Sequence, residues 1–242
     1  MALYSGLLSG AVIAVVLVLV ACAPRGQRAR AADTLLAGLF LALMMGRALH
    51  VVLHWAYFQN HLEEIVVLRA GGLSWHGAAW GALIGCGAAA WARGLRWPRL
   101  ASGLALAAPL LAVSAWIGCQ QAFCSYGAEV STLAAYPSWL VVEARDIFGL
   151  YAPRFNTQAL GAAAAVGVGG VVVLLRAVLP PLQLLGLSLS LIALICFGLG
   201  YLRGDSVPMV ANLRADQWLD LAVLLTGVTL MIGHRRLRIS SV

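Results

Sequence analysis

Gly71, Gly72, Ser74 and His76 open an otherwise apolar stretch, AGGLSWHGAAWGALIG, over residues 70–85. Ionisable groups near hydrocarbon are costly and tend to face the protein interior or a wet cavity. An imidazole has a reference pKa of about 6.5, so it can accept a proton at neutral pH. The plainer role for His76 is to cap a helix end at the lipid–water interface. Position alone leaves both roles open.

Other polar groups stand in similar places. Arg47 lies within MMGRALHVVLHW, well inside a second apolar run. An arginine at mid-helix costs roughly 2.5–3.5 kcal/mol even on the permissive insertion scale. Arg47 therefore needs a partner: a carboxylate, a cluster of backbone carbonyls or a lipid phosphate. It is either a hydrogen-bond hub between helices or part of a binding site. His50 and His54 follow on the same helical face. Arg203, in Leu202-Arg203-Gly204-Asp205, ends the sixth apolar run. It either snorkels to the interface or clamps a phosphate, which a planar guanidinium binds in bidentate fashion. Asp205 would orient Arg203 or simply start the turn. Cys119 and Cys124 are either a disulfide or two packing residues. Tyr126-Gly127 reads as a turn with an aromatic anchor. Arg154 leads into Asn156, a fair helix N-cap, and Gln158, which needs a hydrogen-bond partner once inside the helix.

The composition defines the medium these groups work in. Of 242 residues, 62% are hydrophobic and 10% charged, against about 25% charged in soluble domains. The chain is read as an all-α, polytopic integral membrane bundle occupying residues 1–242 as a single transmembrane domain. Only helices or closed barrels satisfy the backbone in lipid, and these runs are too long for strands. Seven spans are expected, at 5–23, 32–54, 73–92, 101–117, 157–175, 182–202 and 217–233. The net charge of +7 is carried by arginines in short clusters between spans. That pattern sets topology and gives no sign of a nucleic-acid partner. No metal or cofactor is expected from the spacing of the five cysteines and five histidines.

Arg25, Arg28, Arg30, Arg93, Arg96, Arg99, Arg176, Arg235, Arg236 and Arg238 fall on one side of this arrangement. Arg69, Arg145, Arg154, Arg203 and Arg214 fall on the other. The positive-inside rule places the N-terminus outside and the C-terminus in the cytoplasm. Leu19-Val20-Ala21-Cys22 mimics the end of a lipoprotein signal peptide. No arginine or lysine precedes it, so an uncleaved first span is expected. The polar residues then gather on the outer face, and the chemistry is expected in one lipid-accessible pocket near the outer leaflet.

Taken in order, these stretches resemble the bacterial prolipoprotein diacylglyceryl transferase family. Gly71-Gly72-Leu73-Ser74-Trp75-His76-Gly77 is similar to its GGLSFHGG segment, and Gly46-Arg47-Ala48-Leu49-His50-Val51 to its GARLxYV. Ile117-Gly118-Cys119 through Cys124-Ser125-Tyr126-Gly127 resembles GRIGCFLAGCCYG of one branch. Arg154-Phe155-Asn156-Thr157-Gln158-Ala159-Leu160-Gly161 resembles RHPTQLYE, and Gly200-Tyr201-Leu202-Arg203-Gly204-Asp205 echoes EFLRGD, with Gly200-Tyr201 in place of its Glu-Phe. The resemblance implies transfer of a diacylglyceryl group from phosphatidylglycerol to the lipobox cysteine of a prolipoprotein signal peptide. It implies a protein of the bacterial cytoplasmic (inner) membrane working at its periplasmic or extracellular face. His76 and Arg203 would be catalytic. Arg47, Gly71, Gly72, Ser74, Tyr126, Arg154, Gln158 and Asp205 would hold substrate.

The resemblance has gaps. Trp116 stands where the family has an essential arginine, and Leu160-Gly161 where it has Tyr-Glu. Either Arg154 or Arg145 supplies the missing charge, or the chain is a non-catalytic relative that binds phospholipid or signal peptide. A small transporter would need paired broken helices or a charged pathway to the cytoplasmic side, and neither is present in the sequence.

Overall fold

The computed structural model describes residues 2–68, 71–95 and 97–239. Arg69 and Arg96, which the topology reading used, lie outside the described residues. The chain is mainly helical: α1 (Ala2–Cys22), α2 (Arg28–Leu53), the short α3 (Trp55–Phe58), α4 (Trp75–Ala92), α5 (Trp97–Ala122), α6 (Thr157–Leu175), α7 (Pro181–Gly200) and α8 (Ala215–Ile239). Five stretches are long and apolar enough to cross a bilayer: Arg25–Leu53, Leu100–Ala122, Thr157–Leu175, Pro181–Gly200 and Ala215–Gly233. Gly6–Cys22 forms a shorter apolar helix. Each of the seven long helices overlaps one of the expected apolar runs, but α1 and α4 are not among the five that are long and apolar enough to span.

The chain divides into two compact units, Ala14–Leu100 and Met1–Ile13 with Ala101–Val242. In the first, α2 and α4 pack antiparallel along two stripes of small residues. Gly77, Gly81 and Gly85 on α4 lie against the backbone of Gly46, Ala42 and Gly38 on α2. A Cβ at Gly81 would strike the Leu41 carbonyl, and one at Gly85 would sit 2.9 Å from Gly38 Cα. Helices in lipid gain little from hydrophobicity, so close backbone approach through small residues supplies the packing energy. The same glycine repeat places His76, next to Gly77, on the seam.

In the second unit, α7 and α8 also meet through small residues, with Gly186 against the Gly227 carbonyl and Gly227 against Ser190. Ser188 Oγ donates to the Ala105 carbonyl at 3.0 Å, tying α7 to α5.

The long segment between α5 and α6, expected to be a loop, contains an antiparallel hairpin of β1 (Val141–Arg145) and β2 (Tyr151–Phe155). Its other side is extended by residues 126–130, where Val130 N–H donates to the Pro153 carbonyl and Phe155 N–H to Ala128. Ala128 N–H in turn donates to Leu202, and Gly204 N–H to Tyr126. Tyr126-Gly127 is thus part of a strand-like bridge to Arg203 and not a turn. Gly127 and Gly204 are needed because a Cβ on either would meet the neighbouring backbone. A second small hairpin, β3 (Met209–Val210) with β4 (Leu213–Arg214), turns through Ala211 and Asn212, both in the left-handed region.

Gly81→Leu should force α2 and α4 apart and cost about 1–3 kcal/mol, lowering the melting temperature in detergent. Gly87→Leu, where nothing lies within 4 Å, should change it little.

Candidate functional site

In the first unit, the candidate side chains are arranged around Arg47. It is 6% exposed, and its guanidinium is surrounded by main-chain oxygens. Nε donates to Ile65 at 2.7 Å, Nη1 to Gly71 at 2.7 Å and Gly72 at 3.0 Å, and Nη2 to Glu64 at 2.5 Å. The Phe58 ring covers it with its centroid 5.1 Å from Cζ. The partner required by a buried arginine is therefore main-chain carbonyl, supplied by Glu64, Ile65, Gly71 and Gly72. Gly71 and Gly72 both have positive φ, and a Cβ on Gly72 would run into Arg47 and His50. The glycine pair lets the chain turn tightly enough to present its carbonyls. His50 stacks on His54 with ring centroids 4.2 Å apart.

Gly71 and Gly72 deliver the chain to Ser74, whose N–H donates to the Gly46 carbonyl at 2.9 Å. Ser74 occupies the α4 N-cap without a side-chain capping bond. Its hydroxyl is instead 3.1 Å from Nδ1 of His76. His76 is 3% exposed, with the Trp75 ring centroid 4.4 Å from its own. The imidazole is thus oriented by a neighbouring hydroxyl, while backbone bonds carry the helix end.

In the second unit, Arg203 sits in a ring of charges. Its Nε donates to Asp205 Oδ1 at 2.8 Å, Nη2 binds Asp205 Oδ2, and Nη1 reaches Asp216 Oδ2 at 2.9 Å. Arg214 bridges the same two carboxylates, with Nε 3.0 Å from Asp216 Oδ1 and Nη2 3.3 Å from Asp205 Oδ2. Burial alone would lower the Arg203 pKa, but Asp205 and Asp216 hold it above the ordinary value. Two arginines balance two aspartates, so an incoming phosphate must compete with carboxylates already seated. The Arg214–Asp216 half of this ring was not among the sequence candidates. Its signal was an Arg-x-Asp pair at the entrance to α8, matching Arg203-x-Asp205.

Arg154 is also paired. Its Nη2 donates to Asp146 Oδ2 at 3.1 Å and lies 3.6 Å from Glu129 Oε2. Its guanidinium lies over the buried Tyr126 ring at 5.2 Å. Tyr126 has a raised pKa because of burial and the Asp146 and Asp205 carboxylates, against the opposing pull of Arg154, so it remains a phenol. Gln158 finds its partner in the Cys124 carbonyl at 2.9 Å, and Thr157 Oγ1 donates to Ser125 at 2.7 Å. Cys119 and Cys124 are disulfide-bonded, which closes the loop carrying those carbonyls. Asn156 precedes α6 as expected, but its side chain makes no capping bond. Trp116 lies flat against Gly161, where a Cβ would collide with the indole. Among the described residues, no group of three or more His, Cys, Asp or Glu is placed to hold a metal ion.

A polytopic helical membrane protein with buried, partnered arginines and a small β-structured polar region is the class these features define. The sequence matches the model of the prolipoprotein diacylglyceryl transferase family over residues 2–233, and the chain belongs to that family. It is 28% identical over 218 residues to the phosphatidylglycerol–prolipoprotein diacylglyceryl transferase of Bacillus licheniformis, covering 85% of this chain and 77% of that one. The enzyme of the same name from Shouchella clausii is 29% identical over 214 residues, covering 84% and 74%. That of Streptococcus pyogenes is 28% identical over 240 residues, covering 95% and 89%.

Asp146 links the hairpin turn to Arg154. Burial would raise its pKa, but the Leu150 and Phe148 amides and Arg154 outweigh that and lower it. A depressed aspartate stabilises the fold above the ordinary aspartate range, and the stabilisation is lost as pH falls through the lowered value. The protection factors of the Phe148 and Leu150 amides, which remove the pH dependence of intrinsic exchange, should stay high until that acid range and then fall. Asp146→Asn should lower them already at neutral pH.

Proposed function

We propose that this protein transfers a diacylglyceryl group from phosphatidylglycerol to the lipobox cysteine thiol of prolipoproteins. The family match along almost the whole chain carries the reading. In this reading the seven long helices all span the cytoplasmic membrane of a bacterium, with the N-terminus outside and the chemistry at the periplasmic or extracellular face. Phosphatidylglycerol enters from the outer leaflet, and the prolipoprotein presents its signal peptide there.

His76 is the general base. When Nδ1–H donates to Ser74 Oγ, the basic lone pair is on Nε2, and the Ser74 contact at 3.1 Å fixes that orientation. The thiol proton passes to the imidazole. A sulfur–carbon bond forms to the diacylglycerol as its carbon–oxygen bond to phosphate breaks, and glycerol phosphate leaves. Arg203 stabilises the charge that develops on this leaving group, whose phosphate displaces part of the contact that Asp205 and Asp216 make to the guanidinium. Arg47 acts through Gly71 and Gly72, whose carbonyls it holds, and is a positioning residue. Tyr126, Arg154 and Gln158 support the polar region that receives the donor.

The experiment is incubation of purified protein with phosphatidylglycerol and a lipobox peptide, read by intact mass. The cysteine should gain one diacylglyceryl group. His76→Ala and Arg203→Ala should each reduce the rate at least a hundredfold, in the range seen when a general base or a charge-stabilising donor is removed. Cys119→Ala should retain transfer. Retention of lipid binding with no transfer by the unaltered protein would instead identify a non-catalytic lipid-binding relative.

A further inference from the structure

The arginines of the second unit are unequally engaged. Arg154, Arg203 and Arg214 are all neutralised by buried or half-buried aspartates. Arg145, at the end of β1, is exposed. Its Nε donates to the Gly149 carbonyl at 3.3 Å, and its guanidinium rests near the Phe123 and Tyr151 rings at 5.1 and 5.8 Å. Among the described residues it makes no ion pair.

Arg145 lines a cleft of about 200 Å³ between the β1–β2 hairpin, the disulfide-closed loop and the start of α6. The polar lining comes from Gln120, Glu143, Arg145, Asn156 and Gln158. At about 30 Å³ per water, the cleft holds the equivalent of six or seven waters. That is room for a small polar group and too little for an acyl chain. The exposed Glu143 carboxylate can accept from hydroxyls, and the Asn156 side chain is not committed to capping. The N-terminus of α6 adds backbone donors and a positive dipole end beside Asn156. One helical turn further along α5 and α6 from Gln120 and Gln158, Trp116 lies on Gly161. An indole and a glycine therefore occupy the adjacent turn, without a charge of their own.

We propose that this cleft is a glycerol phosphate site, with Arg145 holding the phosphate and Glu143 and Asn156 the glycerol hydroxyls. Both the headgroup of phosphatidylglycerol and the released glycerol phosphate present this chemistry. The assignment rests on the transferase reading for its biological donor, but not for its binding chemistry. It supplies from the hairpin the positive charge that Trp116 does not provide on the helix.

The test uses the full-length protein in nanodiscs of neutral, hydroxyl-free phosphatidylcholine. Calorimetric titration with sn-glycerol 1-phosphate should show binding that Arg145→Gln weakens about tenfold, the effect of losing a charged hydrogen bond. Glu143→Gln should weaken glycerol phosphate severalfold while leaving inorganic phosphate unchanged or slightly tighter. In the transfer assay, Arg145→Gln should raise KM for phosphatidylglycerol with kcat changed less than twofold, which assigns the cleft to the lipid headgroup. A change in product inhibition by glycerol phosphate at constant KM would assign it to the product. Arg176→Gln, at the far end of α6, is the control. Glycerol phosphate binding that is absent, or unaffected by Arg145→Gln and Glu143→Gln, overturns the site even if transfer is robust. Binding that depends on both residues in a protein without transfer keeps the site and removes the transferase reading.

Discussion

A guanidinium inside an apolar helical unit constrains everything near it, and Arg47 is where this chain meets that constraint. Its donors converge on four carbonyls of one loop, each a main-chain group that would itself be costly to bury unpaired. Cation and loop therefore satisfy each other. The arrangement requires left-handed glycines at 71 and 72, and it delivers Ser74 and His76 to the head of α4. The α2–α4 glycine seam completes the frame, because Gly77 can lie on Met45 and Gly46 only without a side chain.

The second unit meets the same constraint with charges. Arg203 and Arg214 share Asp205 and Asp216, two charges of each sign, and Arg154 is paired with two carboxylates, Asp146 and Glu129. Removing one member of a partly buried pair is costlier than the pair's own attraction suggests, because it strands the other charge. A carboxylate-saturated arginine is also selective, since only a dianionic or bidentate ligand competes well for it. This division of labour leaves Arg145 as the accessible guanidinium of the polar region.

The helices were legible in the sequence because apolar length is a strong signal, and every long helix falls on an apolar run. The Gly77, Gly81, Gly85 repeat was in plain view beside His76, but its partner stripe of Gly38, Ala42 and Gly46 becomes visible only when two helices are set antiparallel. The hairpin was not read: Val141–Arg145 and Tyr151–Phe155 are only five residues each, the second contains Pro153, and the one available signal was the turn pair Asp146 and Gly149 between them. Arg47 was recognised as needing a partner. Backbone carbonyls were one of three partners named for it, and the choice among them was not in the sequence because main-chain acceptors leave no mark on side-chain types. The contact of Trp116 with Gly161 joins two departures from the family pattern that look unrelated in sequence.

Arg47 is the anchor of the main chain at residues 64–65 and 71–72 and not a ligand for phospholipid. Hydrogen–deuterium exchange of Arg47→Lys in nanodiscs tests this directly, since an ammonium cannot reach four carbonyls in a planar fan. Protection should be lost across residues 62–68 and 71–74, with or without phosphatidylglycerol, while α5–α8 keep theirs. Unchanged protection there, together with weakened phosphatidylglycerol binding, would contradict this.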